Sequence, residues 1–225
     1  MAVNWNLYLA RYQKARGGYY FGGRDWDCDS DLLLPQDDGH PLLVRVRQEY
    51  AGRSRSFSLY ASTMVRLEHP YELHIRPRGA SGNGVRFVAG LVGASMDFGY
   101  PEATRGRVIT TNHRPFTKLV LGDLSLRNAL SESDDMDLLV SPGPQPDGWH
   151  LIQVTPTAFS GTLTDDGPWV HDAMKSDALF LSDQEKEALF QAGSSHFNGK
   201  LDELLRSLLA SRDAVTRWPI SEYPS

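Results

Sequence analysis

The chain has a single cysteine, Cys28, in 225 residues. That excludes an intramolecular disulfide and any metal site built from several thiolates. It has no excess of positive charge: 28 acidic against 23 basic residues leave a formal net charge of −5. Non-specific nucleic-acid binding, which needs a basic surface, is therefore not expected as its main role. No apolar run approaches the roughly 20 residues needed for a bilayer-spanning helix. The longest, VRFVAGLVGASM, reads as a buried strand around Val85–Val92. The N-terminus, MAVNWNLYLARYQKARGG, lacks the basic, apolar and small-residue segments of a secretory signal. These absences point to a soluble, cytoplasmic chain without a membrane span.

What is present suits a globular protein, since 40% of the residues are hydrophobic and the chain is long enough to bury a core. Charge is unevenly spread. Residues 41–86 carry eight arginines against three glutamates, whereas 141–225 carry twelve acids against six bases. The basic centre either meets the acidic C-terminal part within the fold or faces an anionic partner.

Residues 4–15 place Trp5, Leu7, Tyr8, Leu9 and Tyr12 at helical spacing, with Asn4 as a candidate cap and Gly17-Gly18 as a stop. YYFGGRDWDCDSD resembles a strand breaking into a loop. From residue 42 the period becomes two: Val44, Val46 and Tyr50 alternate with Arg45, Arg47 and Glu49. Phe57, Leu59, Ala61, Val65 and Leu67 line a return strand, and Tyr71, Leu73 and Ile75 a third. This predicts an antiparallel meander with one wet face. VITTNHRPF predicts a strand handing over to a helix. MDLLVSP and WHLIQVTP predict two more strands, and 156–181 is irregular. Ser182 with Glu185 forms a capping box, and Leu201, Leu204, Leu205, Leu208 and Leu209 follow a helical stripe. The expected class is α+β: a core domain over 1–155, with C-terminal helices of 156–225 packed on it.

No familiar catalytic signature is complete. DWDCDSD alternates Asp25, Asp27, Asp29 and Asp31, but a calcium loop needs Gly and Glu where Ser30 and Gln36 stand. Seven histidines show no metal-ligand spacing. VGASMD lacks the second glycine of a nucleophile elbow, and GASGNG lacks the Lys of a P-loop. No catalytic residue, cofactor or metal is assigned. Two surface features remain. One is a basic face, with Arg45, Arg47, Arg66 and Arg76 outward if the apolar residues point inward. The other is a polar site where strand 107–112 ends, with Asn112, His113, Arg114 and His150, because strand-to-helix junctions bind anions through free N–H groups.

LARYQKARGGYYFGGRDWD and VITTNHRPFTKLVLGDLSLRNAL, either side of the meander, together resemble a loosely defined group of bacterial proteins of unknown function, many of them membrane-anchored. The resemblance runs over about residues 9–155 and rests on Thr111-Asn112, Leu121, Asp123 and Leu130. It implies an aromatic strand before the meander, then a strand, a short helix and a second Leu-rich turn. It carries no catalytic residue, and this sequence lacks the membrane segments. The expected function is a non-catalytic interaction or scaffold protein with a protein partner; the alternative is a ligand binder or enzyme at the end of strand 107–112.

Overall fold

The computed structural model describes residues 5–22, 29–51, 54–78, 98–133, 135–143, 148–156 and 182–219. The strand expected at Val85–Val92, the cap at Asn4, Asp25, Asp27 and the irregular stretch after Pro156 lie outside these residues. The fold is α+β: helices on one face of an eight-stranded, wholly antiparallel sheet. Its strands are β1 (Tyr19–Gly22), β2 (Ser30–Leu34), β3 (Leu42–Ala51), β4 (Ser54–Arg66), β5 (Leu73–Pro77), β6 (Arg107–Thr111), β7 (Met136–Pro142) and β8 (Trp149–Pro156), in the spatial order β1-β2-β3-β4-β8-β7-β5-β6. The helices are α1 (Trp5–Arg16), α2 (Pro101–Thr104), α3 (Arg114–Leu121), α4 (Leu124–Glu132) and α5 (Asp183–Thr216).

The period-two pattern sets which side of the sheet is buried. Leu32, Leu42, Val44, Leu59, Ala61, Ile152, Val154, Leu138, Val140, Leu73, Ile75 and Ile109 all project to the helical side and are nearly inaccessible. Register keeps this set together, because a one-residue slip in any strand would turn its apolar residues outward. Sequence neighbours β2–β3 and β3–β4 pair as the meander predicts. The third alternating run does not continue it. β8 and β7 lie between β4 and β5, and β5 pairs with β7 and β6 instead.

The helical layer is dominated by α5, whose Leu201, Leu204, Leu205 and Leu208 are buried at the expected spacing, with Leu209 partly buried against the core. Each fully buried leucine contributes about 1.5–3 kcal/mol. The C-terminal helix thus packs on β4 and β8 of the same sheet. It also holds α1. Tyr12 donates its hydroxyl to Asp202 at 2.6 Å, Arg16 pairs with the other oxygen of Asp202 at 2.6 Å, and Tyr8 stacks on Phe197 at 5.5 Å. Burial, then the adjoining Asp202 carboxylate, push the Tyr12 phenol well above its ordinary range, so it stays a donor. No helix among the described residues is long and apolar enough to cross a membrane.

Candidate functional site

The strand-to-helix corner at residues 111–117 turns its polar groups inward onto the fold. Asn112 Oδ1 accepts from the Glu72 N–H at 2.8 Å, and its amide reaches the Pro70 carbonyl at 3.4 Å. Asn112 therefore closes the chain segment entering β5. His113 is the N-cap of α3, its Nδ1 accepting from the Phe116 N–H at 3.1 Å. Pro115 occupies the first turn, where a missing N–H costs nothing. Arg114 is exposed at the helix start. The N–H groups that an anion could have used are thus partly absent and partly occupied by the His113 side chain.

His150 does not join His113. It is buried, with 2% of its surface exposed, and both ring nitrogens are used: Nε2 accepts from the Tyr71 N–H at 3.0 Å, and Nδ1 donates to the Gly148 carbonyl at 3.1 Å. Only the neutral ring, protonated at Nδ1, satisfies both bonds. Burial pushes its pKa below the ordinary histidine value, opposed by the Gly148 carbonyl. The native state therefore holds fewer protons than the unfolded chain once pH falls through about 6.5, and stability drops from there down to the lowered native pKa. The expected result is that wild type loses stability on acidification below about pH 6.5, and that His150→Gln removes this part of the pH dependence. Chemical denaturation of both proteins on either side of that pH checks it; parallel pH profiles would overturn it.

Between the two histidines lies a buried polar chain. Tyr71 is fully buried, its hydroxyl 2.8 Å from Thr117 Oγ1 and its ring edge-on to Phe116 at 4.7 Å. Thr117 Oγ1 lies 2.8 Å from Thr111 Oγ1, which donates to the Glu72 carbonyl at 2.8 Å. Phe116, Thr117, Val120 and Leu121 form the inward face of α3. The pattern of the sequence suggests Thr117 in water and Leu119 and Leu124 in the core. The structure reverses this: Thr117 is buried, and Leu119 and Leu124 are 47% and 63% exposed. Tertiary hydrogen bonds to Tyr71 and Thr111 make the threonine the better inward residue. Gly122-Asp123, a helix-breaking pair by sequence, separates the helices, Asp123 capping α4 by accepting from the Leu126 N–H and pairing with Arg217 at 2.5 Å.

The basic face also resolves differently from its sequence outline. Paired strand positions share a face, so Tyr19, Phe21, Asp31, Leu33, Leu43, Arg45 and Arg47 lie opposite the buried set, on the open side of the sheet. Arg45 and Arg47 are neutralised there by the acids of DWDCDSD. Arg45 Nε lies 3.4 Å from Asp31, and Arg47 reaches Asp31 at 2.6 Å and Asp29 at 3.7 Å. Among the described residues the C-terminal acids do not supply these partners; Glu187 and Asp202 are spent on Arg11 and Arg16 of α1. Asp31 is thus shared between two arginines of β3. Arg76 is on β5, four strand spacings from β3, or roughly 19 Å away. Arg66 ends β4 beyond Val65, whose register partner is His150. The four arginines share a side of the sheet without forming one cluster. Also on this side, His74 Nε2 lies 2.9 Å from Asp137, a half-buried pair tying β5 to β7. No group of three or more His, Cys, Asp or Glu among the described residues is arranged to hold a metal ion.

Three features were not singled out by sequence reading. Arg107 is buried and donates to three main-chain carbonyls. Tyr19 and Phe21 are 60% and 59% exposed on the edge strand β1. Arg78 and Arg105 are exposed at the opposite end of the sheet. The only sequence signal for the aromatic pair was YYF itself, which puts aromatic residues on both faces of one strand. Compared with family models, curated proteins and solved structures, the chain matches none.

Proposed function

We propose that this chain is a non-catalytic interaction protein that holds a protein partner against the open face of its sheet beside β1. The observation that carries this is the exposure of Tyr19 and Phe21, two aromatic side chains on the same face of β1, which among the described residues pairs only with β2. Large aromatic side chains beside arginines are the usual anchors of protein interfaces. Leu33 and Leu43 extend the apolar surface inward from them, and the Asp29, Asp31, Arg45 and Arg47 pairs rim it with balanced charge. An edge strand with free backbone groups invites pairing, and natural proteins usually blunt such edges with charge or proline. β1, Tyr-Tyr-Phe-Gly, has neither. The corner at Asn112, His113 and Arg114 supports the alternative less well, because Asn112 and His113 are already committed to the backbone.

The test is site-specific photo-crosslinking in cell extract, with a benzophenone side chain placed at Phe21 and, as a control, at Arg206 on the exposed side of α5. The expected result is a discrete crosslinked protein from position 21 only, lost on adding Tyr19→Ser. Equal labelling from both positions, or none from position 21, would overturn the reading. Tyr19→Ser is expected to change stability by less than about 0.5 kcal/mol, as for a surface residue.

A further inference from the structure

The C-terminal end of α5 meets the break between α3 and α4 through an ion pair whose two halves differ sharply in burial. α5 stops at Thr216, whose hydroxyl takes the Arg212 carbonyl at 2.9 Å. Pro219 bars a further turn, because the residue before a proline is driven out of the helical region. Arg217 therefore lies beyond the helix, with its side chain 53% exposed, whereas the Asp123 side chain is only 2% exposed. Asp123 Oδ1 caps α4 by accepting from the Leu126 N–H at 3.1 Å. Asp123 Oδ2 meets no hydrogen-bond donor of its own among the described residues, and its counter-charge is Arg217 Nη1 at 2.5 Å. A buried carboxylate is costly without a counter-charge, so Asp123 stays at the cap only while Arg217 is in place. α3 and α4, at eight and nine residues, are too short to persist on their own hydrogen bonds. In the first turn of α4, Leu124 and Ser125 are exposed and Leu126 is buried. That turn is held by Leu126, by the Asp123 cap and, through Asp123, by Arg217.

We infer that Arg217, Trp218 and Pro219 form a strap that latches the α3–α4 corner, and that withdrawal of Arg217 lets the first turn of α4 open while the sheet and α5 stay closed. The cation is half in water and outside the helix, so it can leave without unwinding α5. Ala214 and Val215, wholly buried, keep the end of α5 seated when it does. Once the guanidinium is gone, the carboxylate either remains buried without a counter-charge or swings to water and gives up the Leu126 N–H. Both outcomes raise the population of the open turn, a local opening distinct from global unfolding. Arg212 differs: it pairs with Asp38 at 2.7 Å from within α5, and its side chain is only 13% exposed. The strap stands apart from the interaction reading given above, which rests on β1, so the two fail separately.

The test is amide hydrogen exchange of the full chain, read residue by residue by NMR. Leu126 and Arg127 report the latch, because their N–H groups donate to the Asp123 side chain and main-chain carbonyl. Arg217→Gln is expected to speed their exchange about tenfold, between the worth of an exposed and a buried ion pair. Ala61 and Val65 of β4 and Leu208 of α5 should keep their wild-type rates. Arg217→Lys, which retains the charge, should restore most of the protection. In D123N the amide oxygen still caps the helix and no buried charge remains, so adding R217Q should change nothing further. Arg16→Gln, which breaks the pair with Asp202 elsewhere on α5, should leave Leu126 and Arg127 unchanged. The inference is overturned by unaltered exchange at Leu126 and Arg127 in Arg217→Gln, or by an equal rise across β4 and α5, which would mean a general loss of stability. Failure of Arg217→Lys to restore protection, the same rise in Arg16→Gln, or a full effect of R217Q in the D123N background would overturn it as well.

Discussion

Replacing Arg107 by methionine will destabilise the fold by about 3–5 kcal/mol, the range for breaking a buried charged network. Arg107 is 4% exposed at the start of β6, and its guanidinium reaches the Met136 carbonyl at 2.7 Å, Leu130 at 2.7 Å and Ser133 at 2.5 Å. Leu130 lies in the last turn of α4, where carbonyls have no helical partner, and Ser133 is the C-cap. One side chain therefore closes a helix end and fixes the chain as it turns into β7. Methionine keeps much of the volume, so the loss reports the three acceptors and not a cavity. Urea denaturation at neutral pH reads it. A loss under about 1 kcal/mol would mean that water replaces the guanidinium at those carbonyls.

A comparable loss, about 3–5 kcal/mol, is expected for Tyr71→Ala, and about 1–2 kcal/mol for Tyr71→Phe. The alanine variant removes a wholly buried ring that packs edge-on against Phe116, leaving a cavity between β5 and α3. The phenylalanine variant keeps the ring and removes only the hydroxyl that meets Thr117. Burial holds that hydroxyl protonated, its pKa raised well above the ordinary range despite hydrogen bonds from Thr117 and Thr111 that favour ionisation. A double-mutant cycle with Thr117→Val isolates the pair: the two single changes should cost more than the double change requires, because each strands a buried polar partner. Strict additivity would show that the two hydroxyls do not depend on each other. Since the Tyr71 N–H also satisfies His150, Tyr71→Phe should leave the pH dependence assigned to His150 intact.

How much of this was legible beforehand differs element by element. β7, β8, β6 and the break at Gly122-Asp123 were readable because their signals are local: alternation, a proline in a first turn, an aspartate at a cap. The place of β5 was not readable. Its alternation shows that it is a strand, but nothing in Leu73–Pro77 encodes that β8 and β7 pass between it and β4. The candidate site suffered most. Asn112 and His113 look like ligands on sequence because an amide and an imidazole at a corner can serve either a ligand or the backbone. Only the positions of the Glu72 and Phe116 N–H groups show that the backbone takes them.

By itself, the sequence determined the α+β class, the inward side of β3, β4 and β5, the leucine stripe of α5 and the lack of any apolar helix long enough to span a bilayer. Each follows from periodicity or composition, which act on residues close in the chain. The tertiary structure alone decided the partners. It paired Arg45 and Arg47 with Asp29 and Asp31, and it turned Thr117 inward. It left Tyr19 and Phe21 exposed on β1, at one end of the described sheet, and Arg78 and Arg105 exposed near the other. Hydrogen bonds and ion pairs act over a few ångströms of space, and residues that meet at that range lie up to about 190 positions apart here, as Tyr12 and Asp202 do.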